Sequence, residues 1–185
     1  MARGLEVWAT PDIVTWDELI ERMFMLDRQA GRLGGRWLPA SAAQLLWERI
    51  VRDHPELSPL LLSSGVARAA AQSWRRLHDF RVPFAALDDD QSAETAAFSR
   101  WCREYRRLLE ERNWTDGALA QSRVHARAAA PGLELTGFDR LTPLQESLLQ
   151  KWAAAGLEVQ LAKAPDVVGR CWHTQCLDPA AEIDA

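Results

Sequence analysis

Residues 133–162, LELTGFDRLTPLQESLLQKWAAAGLEVQLA, constrain the fold more than any other part of the chain. Leu133, Leu135 and Phe138 close an apolar run at the edge of a polar loop. Thr142-Pro143-Leu144-Gln145 then offers a capping box with proline at the first helical position, so a helix is expected from about Pro143. Leu144, Leu148, Leu149 and Trp152 fall on one face of it, Gly156 ends it, and Leu157, Val159 and Leu161 alternate as a second strand. Strand, helix and strand at this spacing predict a parallel sheet with a right-handed crossover. Ligands of such sheets sit at the carboxyl ends of strands, which puts Gly137, Phe138 and Asp139 first among candidate site residues.

Upstream, the pattern is mainly helical. Leu5-Glu6-Val7-Trp8-Ala9 is a short apolar run between Gly4 and Pro11 and reads as a buried strand. A second capping box, Thr15-Trp16-Asp17-Glu18, opens a helix to about Ala30 with Leu19, Met23, Phe24 and Leu26 facing inward. A further helix is expected from Ser41, with Gln44 at the capping-box position and Leu45, Leu46, Ile50 and Val51 as its apolar set. Residues 60–82 read as a helix burying Leu61, Val66, Ala70, Trp74, Leu77 and Phe80, ended by Pro83. The clearest helix spans 92–113, where Phe98, Trp101, Cys102, Tyr105, Leu108 and Leu109 share one face. A short helix then starts at Thr115-Asp116 and runs to about Ala128. Residues 10–132 separate the first strand from the next, too many for one crossover helix, so a helical subdomain inserted into a parallel sheet is expected.

Few residue clusters satisfy the geometry of a chemical site. Gly31-Arg32-Leu33-Gly34-Gly35-Arg36 lacks the lysine and hydroxyl of a phosphate cradle and reads as a loop. Asp88, Asp89 and Asp90 are adjacent and cannot all turn to one ion on a regular element; they suit the approach to a helix N-terminus. Cys171, His173 and Cys176 have no second ligand pair for a closed zinc site, so no metal is expected. His54, His78 and His125 have no evident nucleophile partner. Arg75, Arg76, Arg103, Arg106 and Arg107 are the candidates for phosphate contacts, with a solvated face paired to Glu104, Glu110 and Glu111 as the alternative.

Composition narrows the class. Nearly half of the 185 residues are apolar and nine are tryptophan, which a disordered chain does not carry. A formal charge of −4 excludes a surface that is basic all over. Three irregularly placed cysteines and the lack of a leader or spanning segment favour a reduced cytoplasmic setting with no membrane. Asp178-Pro179-Ala180 opens a helix that Ala185 cuts off, so the chain reads as a piece of something longer.

The segments VWATPDIVTWDELI, WLPASAAQLLWERIV, LHDFRV and above all LTGFDRLTPLQ resemble the amino-terminal region of a family of bacterial DNA repair proteins similar to the B subunit of AddAB-type helicase–nucleases. The resemblance covers nearly the whole chain, and the GFDxLTPxQ loop is its most specific part. It implies an α/β fold, helix-dominated, with a short parallel sheet of P-loop helicase type and a large inserted helical subdomain. Residues 1–30 would be the first strand and helix of the core, 31–131 the insertion, and 132–185 the remainder of the core, truncated at its C-terminus. The strand over 133–138 would match the one that carries the Walker B acids. A working Walker B loop offers an aspartate to magnesium and a glutamate to the attacking water. Here Gly137 and Phe138 stand at that position and only Asp139 is acidic, a degenerate site.

The implied function is therefore non-catalytic. The chain would be a pseudo-helicase scaffold segment of a DNA recombination and repair protein, without a cofactor of its own. It would support DNA-end binding or contacts to a helicase subunit, while a PD-(D/E)XK nuclease domain lies beyond Ala185. Two alternatives are a nucleotide-dependent helicase or phosphotransfer fragment using Asp139 and Thr142, and a helical interaction module using exposed tryptophans.

Overall fold

The computed structural model describes residues 12–53, 63–88, 92–125 and 132–162. It is a helix-dominated α/β chain with two short parallel sheets. The expected strand over 5–9, His54, Asp89, Asp90, the Cys171–His173–Cys176 group and the helix start at Asp178 lie outside the described residues. Helix α1 (Trp16–Gln29) opens on the Thr15–Glu18 capping box. Strand β1 (Arg36–Trp37) and α2 (Ala40–Arg52) follow, then α3 (Ser63–Asp79), a 3-10 turn (Phe84–Leu87) and α4 (Ala93–Glu111) with Ser92 at its N-cap. Strand β2 (Trp114–Thr115) leads into the short α5 (Gly117–Ala120). Strand β3 (Leu133–Leu135), α6 (Pro143–Ala154) and β4 (Val159–Leu161) complete the described chain.

The β3–α6–β4 unit forms as its sequence predicts. Leu133, Glu134 and Leu135 pair in parallel with Val159, Gln160 and Leu161. Thr142 and Gln145 cap each other's backbone at the start of α6, with Pro143 supplying a preset φ and no stranded N–H. At the far end Gly156 takes φ +93°, and Leu157 N–H reaches back to Trp152 O at 3.0 Å. This left-handed closure satisfies the last carbonyls of the helix, and glycine adopts it without a Cβ clash.

The helix over 60–82 is shorter than its apolar pattern suggests. Arg81 adopts φ 55°, and Val82 N–H bonds Leu77 O at 2.8 Å, closing α3 in the same left-handed manner before Pro83. Phe80 and Val82 consequently lie outside, with Phe80 58% exposed rather than buried. In α2 the expected capping box does not form. Leu38 N–H is held by Thr115 O at 2.9 Å, so the chain leaves β1 at a fixed point and Pro39 becomes the N-cap. Ser41 is then already helical, Gln44 bonds Glu48 instead, and the inward face is Trp47, Ile50 and Val51 while Leu45 is exposed.

Strands β1 and β2 are new relative to the sequence pattern, which placed Arg36 in a loop. They pair in parallel, Arg36 with Trp114 and Trp37 with Thr115, and are too short to show alternation. Gly35 at φ +92° makes the approach possible, since a Cβ there would stand 3.2 Å from Asn113 O. The helix expected to run from Thr115 to about Ala128 is only α5. Past Ala120, Gln121 is buried with its amide bonded to Trp16 and Asp79, and His125 N–H turns to Asp27, so tertiary hydrogen bonds draw the chain off the helical path. Residues 126–128 lie outside the described residues.

Among the described residues two apolar cores result. One packs α2, α3 and α4 around Trp47, Val51, Trp74, Cys102, Tyr105 and Leu109. The other packs α1 and α6 on β3 around Trp16, Ile20, Phe24, Leu135, Leu148 and Trp152. Helix α5 joins them, with Ala118 in the first and Ala120 in the second. Among the described residues, no helix is long and apolar enough to cross a membrane.

Replacing Thr15 or Thr142 by alanine is expected to cost about 1 kcal/mol each by urea denaturation. Ser41→Ala should stay within about 0.5 kcal/mol because Ser41 caps nothing, and a loss equal to the other two would contradict the Pro39 N-cap. Gly35→Ala should cost more than about 1 kcal/mol, from the positive φ and the contact with Asn113.

Candidate functional site

The loop after β3 is the place the sequence nominates. Gly137 turns the chain at φ +77° and is exposed. Phe138 does not project into solvent; its ring meets Trp16 edge-on, with centroids 6.2 Å apart and planes at 72°. Trp16 in turn stacks on Trp152 at 6.3 Å and donates Nε1–H to Gln121 Oε1 at 2.9 Å. An aromatic side chain joined to the α1–α6 core therefore occupies the end of the strand. Asp139 is exposed beyond it. Thr142 Oγ1 accepts the N–H of Gln145 at 3.3 Å, and Gln145 Oε1 accepts the N–H of Thr142 at 2.9 Å. These groups serve the helix start rather than a ligand phosphate.

The five candidate arginines do not share one patch. Arg75 makes a two-pronged ion pair with Asp17 of α1, at 2.7 and 2.6 Å, and reaches Asp79 at 3.6 Å. Asp17 raises the Arg75 pKa, mainly through those hydrogen bonds. Arg103 bonds Asp88, and Arg107 bonds Glu104 and Glu111 along α4. Arg106 lies over the Phe84 ring at 5.1 Å, with Glu110 3.8 Å away. Arg76 is exposed on α3. Arg75, Arg106 and Arg107 each line a different hollow of the surface. Exposed ion pairs of this kind are worth about 0–1 kcal/mol, so an incoming phosphate could replace a carboxylate partner at small cost.

One polar centre was hidden in the sequence. Asp116, which follows β2, is buried and accepts three hydrogen bonds: Leu119 N–H to Oδ1 at 2.9 Å, Trp74 Nε1–H to Oδ2 at 2.9 Å and Tyr105 O–H to Oδ2 at 3.0 Å. Trp47 stacks on Tyr105 with centroids 4.3 Å apart. Its helix-capping role is legible from Asp116 and Leu119. Its link to Trp74 and Tyr105 is not, because nothing sequential joins positions 74, 105 and 116. A cleft of about 370 Å³ opens beside it at the carboxyl ends of β1 and β2, between Trp37, Trp47, Arg68 and Arg75. A parallel α/β unit places ligand space there, although on a different strand pair from the one the sequence favours.

None of the buried titratable groups in this region is poised for covalent or proton-transfer chemistry. Burial raises the Tyr105 pKa, and the neighbouring Asp116 carboxylate raises it further, so the phenol stays a donor. Burial pushes the Cys102 thiol up to about 12, which keeps it protonated and unreactive. Burial also lowers the pKa of His78, leaving its ring neutral at pH 7. Among the described residues no group of three or more His, Cys, Asp or Glu side chains could hold a metal ion. None of the described tryptophans is exposed, so the interaction-module alternative finds no tryptophan surface among them.

Asp27 forms a second buried polar centre. Its carboxylate accepts Arg32 Nε–H at 2.8 Å and His125 N–H at 2.8 Å, and lies 3.1 Å from His125 Nδ1. Burial pushes its pKa up, but the His125 backbone, Arg32 and the His125 ring together pull it below the ordinary 3.8.

Asp116→Ala leaves two buried donors unpaired and removes a cap, and is expected to cost about 3–5 kcal/mol in urea denaturation. Asp116→Asn, which keeps the shape and an acceptor oxygen, should cost clearly less. Because the Asp27 pKa is depressed in the folded state, its contribution is present above pH 3.8 and falls away as pH drops through the folded value. The urea midpoint measured between pH 6 and pH 2.5 should therefore decline less steeply in Asp27→Asn than in the parent chain. No family model, curated protein or solved structure matches the chain, so its function is argued from the residues above.

Proposed function

We propose that this chain is a non-catalytic, helicase-like scaffold segment of a DNA recombination and repair protein. In this reading its sheet is of the P-loop helicase type, its α2–α4 block is the inserted helical subdomain, and it supports DNA-end binding or partner contacts for a nuclease elsewhere in the polypeptide. The observation that carries the proposal is the loop after β3. In this reading the strand, loop, capped helix and parallel strand are the frame of a nucleotide site, and Phe138, packed on Trp16, stands where a magnesium-binding acid would be needed. Among the described residues the α2–α4 core draws on positions 38–119, which supports an inserted block.

The DNA-contact part rests on the exposed arginines of α3 and α4. Their guanidinium groups can exchange weak surface ion pairs for phosphate oxygens, which gives sequence-independent and salt-sensitive binding. The phosphotransfer alternative would need Asp139 and Thr142 together, and Thr142 is already committed to the α6 cap.

Calorimetric titration with magnesium-ATP should give no saturable heat at micromolar protein; a saturable micromolar signal would replace this reading with the enzymatic one. Binding to DNA ends should weaken steeply with salt. Charge reversal at Arg103, Arg106 and Arg107 together should lower affinity by about tenfold or more at low salt and flatten the salt dependence. Unchanged affinity in that variant removes the arginine-contact claim.

A further inference from the structure

Helix α3 ends on a closure that glycine usually makes. Arg81 N–H bonds His78 O at 3.0 Å and Val82 N–H bonds Leu77 O at 2.8 Å, the paired bonds of a Schellman turn, with Arg81 itself at φ 55°. A side chain in this left-handed region crowds its own backbone, so arginine is strained where glycine is not. The closure also fixes what the turn shows to solvent. Phe80 is 58% exposed and Val82 37%, and Pro83, Ala85 and Ala86 continue the exposed apolar run. Phe84, by contrast, packs on Trp74 at 5.4 Å and lies under Arg106.

The free charges beside this ridge are of one sign. Arg76 precedes Phe80 by one helical turn, and its carbonyl accepts the Phe80 N–H at 2.9 Å, so the two side chains share a face of α3. Arg76 and Arg81 are both exposed, and among the described residues no carboxylate pairs with either. The carboxylates of the same stretch are already engaged: Asp79 accepts from Gln121 at 3.2 Å and lies 3.6 Å from Arg75, and Asp88 accepts from Arg103. Scattered apolar side chains on a surface need no explanation, but here they are nearly consecutive and flanked by two unpaired cations, in a chain of net charge −4. Whatever covers them must bring apolar area to Phe80 and Val82 and negative charge to two guanidinium groups.

We propose that the Phe80–Val82 turn is a docking surface for an acidic peptide segment of another protein that carries an apolar face, with Phe80 as the anchor and Arg76 and Arg81 as the carboxylate contacts. A carboxylate of the partner meets a guanidinium fork with two hydrogen bonds, as Asp17 meets Arg75 within this chain. The strained backbone at Arg81 then has a use, since it holds a cation beside the anchor that glycine at the same place could not supply. The inference goes beyond the DNA contacts proposed above and does not depend on them.

The test is fluorescence anisotropy of the 185-residue chain with a labelled synthetic peptide of about fourteen residues, leucine at i, i+3, i+4 and i+7 and glutamate at most other positions. One control peptide carries lysine for glutamate, and another carries serine for leucine. The variants are Phe80→Ser, Arg81→Gly, and the double variant Arg49→Gln, Arg107→Gln, which removes positive charge from the hollow between α2 and α4 instead. Only the glutamate–leucine peptide should bind the parent. Phe80→Ser should weaken it about tenfold, Arg81→Gly about threefold, and the double variant should bind as the parent does. Glycine relieves the left-handed strain, so Arg81→Gly should also raise the urea midpoint, and Phe80→Ser should hold it, because the ring is exposed. A lowered midpoint in Arg81→Gly would show that the guanidinium serves the fold and would remove it from the contact. Equal binding of the lysine peptide, or parent-like binding by both Phe80→Ser and Arg81→Gly, overturns the docking surface. So does a parent chain that binds no peptide; a dimer in sedimentation that Phe80→Ser abolishes would then assign the surface to a second copy. None of these outcomes bears on DNA affinity or on the magnesium-ATP titration, so the two readings stand or fall separately.

Discussion

The structure depends on one buried carboxylate. Asp116 sits where β2 becomes α5, and its two oxygens take the indole N–H of Trp74 from α3, the phenol of Tyr105 from α4 and the Leu119 N–H of α5. A buried charge is costly unless hydrogen bonds replace its water, and here three do. The consequence is geometric: two long helices and the β1–β2 ladder are brought to one point. Trp47 then stacks on Tyr105 from α2, so the four-element core closes around a polar centre rather than around apolar contact alone. The same segment carries Ala118 into one core and Ala120 into the other, which makes the stretch from 114 to 121 the joint between the α2–α4 block and the β3–α6–β4 unit.

Across that joint the contacts are specific as well as apolar. Arg75 of α3 holds Asp17 of α1 with two hydrogen bonds, and Gln121 links Trp16 to Asp79. These pairs constrain how the helical block lies on the α/β unit. They also explain why most of the α3 and α4 arginines are quiet in this structure: they satisfy neighbouring carboxylates. Arg106 lies 3.8 Å from Glu110 and rests on the Phe84 ring, and Arg123, beyond α5, donates to the Thr115 hydroxyl.

The loop after β3 is held by contacts that serve the unit itself. Parallel pairing, a capped helix start and a glycine turn are all in place, and each serves the stability of the unit on its own account. Phe138 adds an edge contact to Trp16, so the loop contributes to the core. The loop joins β3 to α6, whose following strand β4 pairs with β3.

What the sequence determined by itself was local. The capping boxes at Thr15 and Thr142, the amphipathic face of α4 and the strand–helix–strand pattern over 133–162 depend on residues within one or two turns of each other, and they formed where their spacing placed them. The tertiary structure decided the rest. The β1–β2 ladder needs only two residues from each strand and exists because Gly35 and Asn113 meet, although they are far apart in the chain. The shift of α2's cap to Pro39 and the stop after Ala120 each follow from a hydrogen bond made to another element, whereas α3 ends early through its own left-handed turn at Arg81. The Asp116 centre is invisible in the linear order for the same reason. A donor and its acceptor forty residues away have no shared period, and only the packed fold brings them within 3 Å.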